Sequence, residues 1–354
     1  MKAVILVGGE GTRLRPLTCN TVKAMVPVLN RPFLEHMICY LRSYEIRDII
    51  LTLCHLPDSI RSYFGDGSKF GVKLTYIVEE SPLGTAGAVK NAQRYLDEPF
   101  FILNGDIFTD LDLGAMLAFY KQTRAKVSIA LTPVENPTIY GVVETDAQGR
   151  VRHFIEKPAW GEVTTNLINA GIYLLNPEVL SGVPQDTHFM FEHHLFPQLL
   201  DKGESIYGYS SEAYWIDIGT PEKYLKLHHD LLKRYDEGLT TQYSIHPSAQ
   251  TEGKVLIGSE CHIGPRVRIE GPATLGPGSR IEEGAQISGA VLWRNVQVGR
   301  QAILENCIAG DNCFIGSGSF IPQGSVLGDN VVIESKSNLP PSSRIWPGTK
   351  VVKH

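Results

Sequence analysis

The sequence has no hydrophobic run approaching the ~18 apolar residues of a membrane-spanning helix, and its opening apolar stretch, Ala3–Val7, is too short for a secretory signal. A cytoplasmic protein is therefore expected. Charge of one sign is also scarce. Lysine and arginine total 33 against 38 aspartates and glutamates, a formal net charge of −5, so neither nucleic acid nor a membrane surface is expected as a partner. The six cysteines are scattered without a Cys-x-x-Cys pair, which argues against a zinc site or a disulfide framework. Two phosphate-binding motifs are missing as well. There is no Gly-Lys-Ser/Thr of a Walker A loop. Gly9-x-Gly11 is followed three residues on by Leu14, where a dinucleotide fingerprint needs glycine.

What is present divides into two periodicities, and 354 residues suffice for two domains. Up to about Asp236, apolar strands alternate with helical patterns. AVILV precedes a helix near Phe33–Tyr44, DIILTL a helix near Asp58–Phe64, and KLTYIVEE a helix near Ala86–Leu96, before FFILNGD. This alternation predicts right-handed β-α-β crossovers and a mostly parallel sheet, with ligands beyond the carboxyl ends of its strands. Gly8, Glu79 and Asp106 stand at or just past such ends and are expected to converge. Glu222–Tyr235 reads as a helix stopped by Gly238. After Thr241, Ile257, Ile263, Ile269, Leu275, Ile281 and Ile287 recur every six residues; after an interruption near Trp293 come Ile303, Ala309, Ile315, Ile321, Leu327 and Ile333. That period marks a hexapeptide β-helix with three short strands per coil, and it accounts for the spacing of Cys307 and Cys313. The expected domains are residues 1–238, α/β, and 239–354, a hexapeptide-repeat β-helix, with a linker near 237–244.

Chemistry concentrates at a few points. Val7 empties into Gly8-Gly9-Glu10-Gly11-Thr12-Arg13, where glycines let backbone N–H groups turn toward a phosphate. Arg13, Arg15 and Lys23 add three cations, as a triphosphate site requires. A plain strand-to-helix turn is the alternative. Asp106 ends an apolar strand, although Asn104-Gly105 also fits a tight turn. Asp217 in YWIDIG repeats the pattern. Two such carboxylates suit Mg²⁺, a hard cation usually completed by substrate phosphates. Glu156-Lys157-Pro158 follows the strand-like VRHFI and reads equally as a surface ion pair. His193-His194 and His228-His229 lie on helix-like stretches without metal-ligand spacing, where surface or capping roles are expected.

Gly8-Gly9-x-Gly11-Thr12-Arg13-Leu14, with Lys23 after it, resembles the signature of the sugar-nucleotide pyrophosphorylases, nucleotidyltransferases that act on sugar 1-phosphates. The resemblance runs the length of the chain and is strongest to mannose-1-phosphate guanylyltransferases that carry a C-terminal left-handed β-helix. One departure is Val22-Lys23-Ala24, where the family usually has proline on both sides of the lysine. The resemblance implies a Rossmann-like nucleotidyltransferase domain with Arg13, Lys23, Asp106, Lys157 and Asp217 as catalytic residues. It implies that Val7, Gly8, Gly9, Gly11, Thr12 and Arg13, together with Glu79, Pro82, Gly84 and Thr85, contact the nucleotide. Tyr140, Gly141, Glu156, Lys157, Asn169 and Gly171 would line the sugar-phosphate pocket, and Asp106 and Asp217 would hold Mg²⁺. Glu79 carries the base expectation. A carboxylate accepts the N1–H and N2–H donors of guanine, and relatives that use thymidine or uridine nucleotides commonly have glutamine at this point.

The expected reaction is transfer of a nucleotidyl group from GTP to mannose 1-phosphate. Thymidylyl or uridylyl transfer to glucose 1-phosphate is the alternative within the family. A non-catalytic regulatory subunit that binds sugar nucleotides is the alternative of another class. An acyltransferase in the β-helix would need a histidine at a groove between subunits. His262 is the one histidine within a coil, His246 precedes the repeat and His354 is terminal. The β-helix is instead expected to support a homo-oligomer.

Overall fold

The structure, a computed structural model, describes residues 1–54, 57–234 and 243–352. Tyr235, Gly238, most of the expected linker, the 238/239 boundary and His354 lie outside the described residues. Packing groups the chain into two compact units, Met1–Gly9 with Leu34–Ile216, and Glu10–Phe33 with Asp217–His354.

The first unit is built on β1 (Lys2–Val7), α1 (Phe33–Ser43), β2 (Asp48–Leu53), α2 (Pro57–Phe64), β3 (Lys73–Val78), α3 (Gly84–Asn91) and β4 (Phe100–Asn104). Strands β3, β2, β1 and β4 lie side by side in parallel. Their apolar runs are covered on both faces, as strands of a parallel sheet should be; Ala3, Val4 and Ile5 are fully buried. Next come β5 (Ile107–Thr109), α4 (Leu113–Thr123), β6 (Val127–Pro133), β7 (Gly141–Thr145), β8 (Val151–Glu156) and β9 (Leu167–Leu175). Strand β9 pairs antiparallel with β4 and β6, and the β7–β8 hairpin extends the sheet beyond it. After α5 (Phe196–Asp201), β10 (Ile206–Ser210) pairs in parallel with β6.

Register aligns the carboxyl ends. Val7 and Val78 both face Leu53, while Leu6 faces Asn104. Gly8, Glu79 and Asp106 therefore follow the same edge of the sheet. Gly105 is demanded by this geometry, because a Cβ there would run into the Leu6 carbonyl oxygen.

The second unit contains the β-helix. Its short strands stack into three parallel sheets, with one strand per sheet in each of the first five coils. The inward aliphatics from Ile257 to Ile287 are all buried in one core. The interruption near Trp293 has a simple origin. In the third sheet, Val291–Leu292 and Ile308–Ala309 are two-residue strands, where Val255–Ile257 and Ala273–Leu275 are three-residue strands. Each of the two steps into these shorter strands, Ile287 to Leu292 and Leu304 to Ala309, is one residue short of the repeat. Pairing consequently sets Leu304 against Ile287 and Ile321, so Leu304 faces the core and the expected Ile303 is only half-buried. A one-residue slip in a strand exchanges its two faces. Burial pushes the Cys307 and Cys313 thiols up to about 12, as befits small core residues of low reactivity.

Helix α6 (Pro221–Arg234) buries Tyr224, Leu227, His228 and Leu231, the stripe of an amphipathic helix, and it meets the β-helix through Tyr224 and His228. His228 is thus interior, 1% exposed, and not the surface or capping residue expected from sequence. Its Nε2 donates to the Pro27 carbonyl at 3.1 Å and its Nδ1 faces the Thr274 hydroxyl at 3.3 Å. His229 donates to the Gly289 carbonyl at 2.9 Å.

The register shift is directly testable by thermal unfolding. Leu304→Ala should destabilise the β-helix by about 2–5 kcal/mol, and Ile303→Ala by less than about 2 kcal/mol. The reverse order would restore an uninterrupted repeat.

Candidate active site

In the first unit, Glu79 leaves β3 with its amide bonded to the Leu53 carbonyl, and its side chain turns back so that Oε2 accepts the Leu83 N–H at 2.9 Å. The residue is 6% exposed. Burial pushes its carboxyl above the usual range, and the Leu83 bond partly offsets this. Pro82 is exposed on the same loop. Gly84 then starts α3 with a positive φ. Two amides in the first turn of α3 are already engaged, since Ala86 and Gly87 both donate to the Phe189 carbonyl at 2.9 Å. Thr85 Oγ1 donates to Glu192 Oε2 at 3.0 Å and accepts the Phe191 N–H.

The predicted sugar-pocket residues lie on β7, β8 and β9. Gly141 pairs with Glu156 across the hairpin, and a Cβ on Gly141 would press on the Glu156 carboxylate at 2.7 Å. Lys157 donates its amide to the Tyr140 carbonyl, and its exposed Nζ stands 3.7 Å from Glu156 Oε1. The Tyr140 ring packs edge-on against Trp215, whose indole N–H donates to the Ala170 carbonyl at 2.9 Å. On β9 the register breaks between Asn169 and Tyr173. There Asn169 accepts the Gly171 N–H at 3.0 Å and donates to the Tyr173 hydroxyl at 2.9 Å. Tyr173, fully buried, donates in turn to Glu192 Oε1 at 3.1 Å. Glu192 thus ties the Glu79–Thr85 loop to the Asn169–Gly171 bulge. Burial raises the Glu156 carboxyl, and the Glu192 charge raises it further, against the opposing pull of Lys157 and His193.

Sequence reasoning missed Glu192 and Tyr173. A signal existed: Glu192 is an acid inside the aromatic run Phe189–Phe196, the same oddity that singled out Asp106 and Asp217.

Val7, Gly8, Gly9 and Asp106 belong to the first unit as well, whereas Gly11, Thr12, Arg13, Lys23 and Asp217 belong to the second. Gly11, at a positive φ, begins a tight turn through Thr12–Leu14, and its carbonyl accepts from the Thr18 hydroxyl at 2.7 Å. Its position where a Cβ would meet the Lys23 stem at 3.1 Å shows that Lys23 returns against the glycine loop. Lys23 itself is 9% exposed. Arg13 is exposed, with its guanidinium beside Gly219. Asp217 is 7% exposed and ion-paired with Lys223 of α6, a partner that sequence reasoning did not identify. Arg13, Gly219, Asp217 and Lys223 are therefore neighbours. Asp106 is half-buried in the first unit.

Of the two residues expected to bind metal, Asp106 and Asp217, each taken by itself offers only carboxylate oxygen, which suits a hard divalent cation. Among the described residues, no group of three or more His, Cys, Asp and Glu is placed to hold a metal ion. Carboxylate oxygen is the donor chemistry that such a cation takes, with phosphate oxygens and water completing its shell. Among the described residues, no helix is long and apolar enough to cross a membrane.

Residues 2–234 match the family model described as Nucleotidyl transferase. The chain belongs to that family. Residues 235–339 match the EIF2B subunit epsilon LbH domain, in keeping with the three parallel sheets of a left-handed β-helix. The nucleotidyltransferase is 35% identical to the mannose-1-phosphate guanylyltransferase of Mycobacterium tuberculosis, over 86% of this chain and 82% of the relative. It is 33% identical to the UTP–glucose-1-phosphate uridylyltransferase of Synechocystis sp., over 86% of each. Mannose-1-phosphate guanylyltransferase 1 of Arabidopsis thaliana is 36% identical over 88% of this chain and 86% of its own. Among solved structures, HddC from Yersinia pseudotuberculosis superposes with a TM-score of 0.58 at 31% identity, covering 65% of this chain and 99% of HddC. HddC has also been solved complexed with GMP-PN. The nucleotidyltransferase accordingly acts on a nucleoside triphosphate and a sugar 1-phosphate.

The raised Glu156 carboxyl has a sign-definite consequence. The folded state holds that proton more tightly than the unfolded chain, so stability falls as pH rises from the unfolded carboxylate range through the folded value. Glu156→Gln should therefore raise the melting temperature at neutral pH, and the gain should vanish below the ordinary carboxylate range. A pH-independent loss on substitution would contradict the burial account.

Proposed function

We propose that this nucleotidyltransferase is cytoplasmic, uses Mg²⁺, and transfers the guanylyl group of GTP to mannose 1-phosphate, releasing pyrophosphate. Residues 1–238 would carry the reaction and residues 239–354 would support a homo-oligomer. The observation that carries the base assignment is the buried Glu79 carboxylate, seated just past the carboxyl end of β3 with acceptor capacity beyond its Leu83 bond. Guanine offers two adjacent donors to such a group, whereas uracil and thymine alternate acceptor and donor. The guanylyltransferase relatives and the GMP-PN complex of HddC support the same reading.

In the proposed reaction a phosphate oxygen of the sugar 1-phosphate attacks the α-phosphorus in line. A new P–O bond forms as the bond to the bridging oxygen of the β-phosphate breaks, and the electron pair leaves with pyrophosphate. The attacking oxygen is already anionic at neutral pH, so no protein base is needed. Val7, Gly8, Gly9, Gly11 and Thr12 present backbone to the triphosphate, and Arg13 and Lys23 balance charge that builds as the bond breaks. Pro82, Gly84 and Thr85 complete the loop that holds the base with Glu79. Lys157 holds the sugar phosphate while Glu156, Tyr140, Gly141, Asn169 and Gly171 orient the sugar. Asp106 and Asp217 would hold Mg²⁺, which when bound neutralises phosphate charge. Rate then derives mainly from positioning and electrostatics.

Pyrophosphate release, measured in Mg²⁺ with GTP, dTTP, UTP, ATP and CTP against mannose and glucose 1-phosphates, tests this. Turnover should peak with GTP and mannose 1-phosphate. A peak with UTP or dTTP and glucose 1-phosphate, as the Synechocystis relative's name would suggest, would overturn both specificities. Silence throughout would favour a regulatory protein.

A further inference from the structure

The glycine-rich loop from Glu10 onward is held by side chains of the β-helix, more than 300 residues away in sequence. Arg344 lies in a strand of the last coil, in register with Val326, so the sheet fixes where its side chain emerges. Its Nη1 donates to the carbonyl oxygens of Arg13 at 3.4 Å and Arg15 at 2.9 Å. Its Nη2 pairs with Glu222 Oε1 of α6 at 3.5 Å. One planar guanidinium thus joins the loop backbone, α6 and the β-helix, using the fork geometry that distinguishes arginine from lysine. A second tie lies nearby: Asn20 donates to Asp329 Oδ2 at 3.2 Å, while Asp329 Oδ1 accepts the Asp311 N–H at 3.0 Å.

The bonds from Arg344 to the loop take backbone carbonyls and leave the Arg13 guanidinium to project from it. Arg344 also brings its own positive charge to that backbone, close to where an anion is to be received. It touches neither the predicted phosphate-binding glycines nor Lys23 by any of these bonds. We propose that Arg344 is a positioning residue for the nucleoside triphosphate. Through it, the terminal coil of the β-helix sets the conformation of the loop that carries Arg13. The β-helix is then part of the substrate-binding apparatus as well as a scaffold. This inference rests on the reading of Gly11–Arg13 and Lys23 as the triphosphate site.

The side chain of Arg344 is 42% exposed, so its truncation opens no buried void. The test compares wild type, Arg344→Ala, Arg344→Lys and Arg13→Ala in the full chain. It records KM for the triphosphate, KM for the sugar phosphate, and the melting temperature, using the substrate pair with the highest turnover. Arg344→Ala should raise the triphosphate KM about tenfold, the effect of losing charge-assisted bonds, while sparing the sugar-phosphate KM and the melting temperature. Arg344→Lys should recover part of the loss. Equal changes in both KM values with a lowered melting temperature would make Arg344 merely structural and overturn the proposal. So would an unchanged triphosphate KM in Arg344→Ala when Arg13→Ala raises it. If Arg13→Ala itself leaves that KM unchanged, the triphosphate assignment of the loop fails, and the role of Arg344 falls with it.

Discussion

A chain of net charge −5 that takes two anionic substrates depends on cations fixed one by one in place. No general positive field draws the phosphates in, so backbone geometry has to do what composition does not. On the proposed reading, that constraint falls on Glu10–Phe33. It has almost no regular secondary structure, yet its turns are closed by bonds from Thr18 to Gly11 and from Arg344 to Arg13 and Arg15. A flexible loop would lose conformational freedom each time it met a phosphate. If the loop is the triphosphate site, as proposed, bonds made in advance remove that cost from binding.

The β-helix acquires a second meaning in this light. Its interior is a repetitive stack of aliphatics, and its outward side chains carry the specific contacts. Pro27 presents a carbonyl to both Tyr224 and His228 of α6, and Trp293 donates to the Tyr224 hydroxyl at 3.0 Å. Asn30 donates to the Leu275 carbonyl at 3.1 Å. The loop, α6 and the coils thus share one hydrogen-bonded packing surface, all of it within one compact unit.

Much of this was legible in the sequence, where short-range periodicity carries the information. AVILV, DIILTL, KLTYIV and FFILN are strands because each is an apolar run bounded by turn chemistry, and the aliphatic hexads mark the β-helix. The miss at Ile303 arises where two aliphatics stand side by side, so that composition alone cannot say which faces inward. His228 was misread because imidazole is equally at home on a surface and in a satisfied interior; only its contacts with Pro27 and Thr274 distinguish the two. Glu192 connects residues as remote as Thr85, and Arg344 reaches Arg13; no local pattern records such pairs. The positions that follow strand ends were readable, and the contacts that brace them were not.

The proposed base preference rests on one buried carboxylate, and its most direct test is a single substitution there. In Glu79→Gln, the ratio of kcat/KM for GTP to that for UTP should fall by about ten- to a hundredfold, since an amide cannot accept both guanine donors and a charged hydrogen bond is lost. An unchanged ratio in a folded, active variant would mean that guanine is not read by Glu79, and the assignment built on it would be wrong.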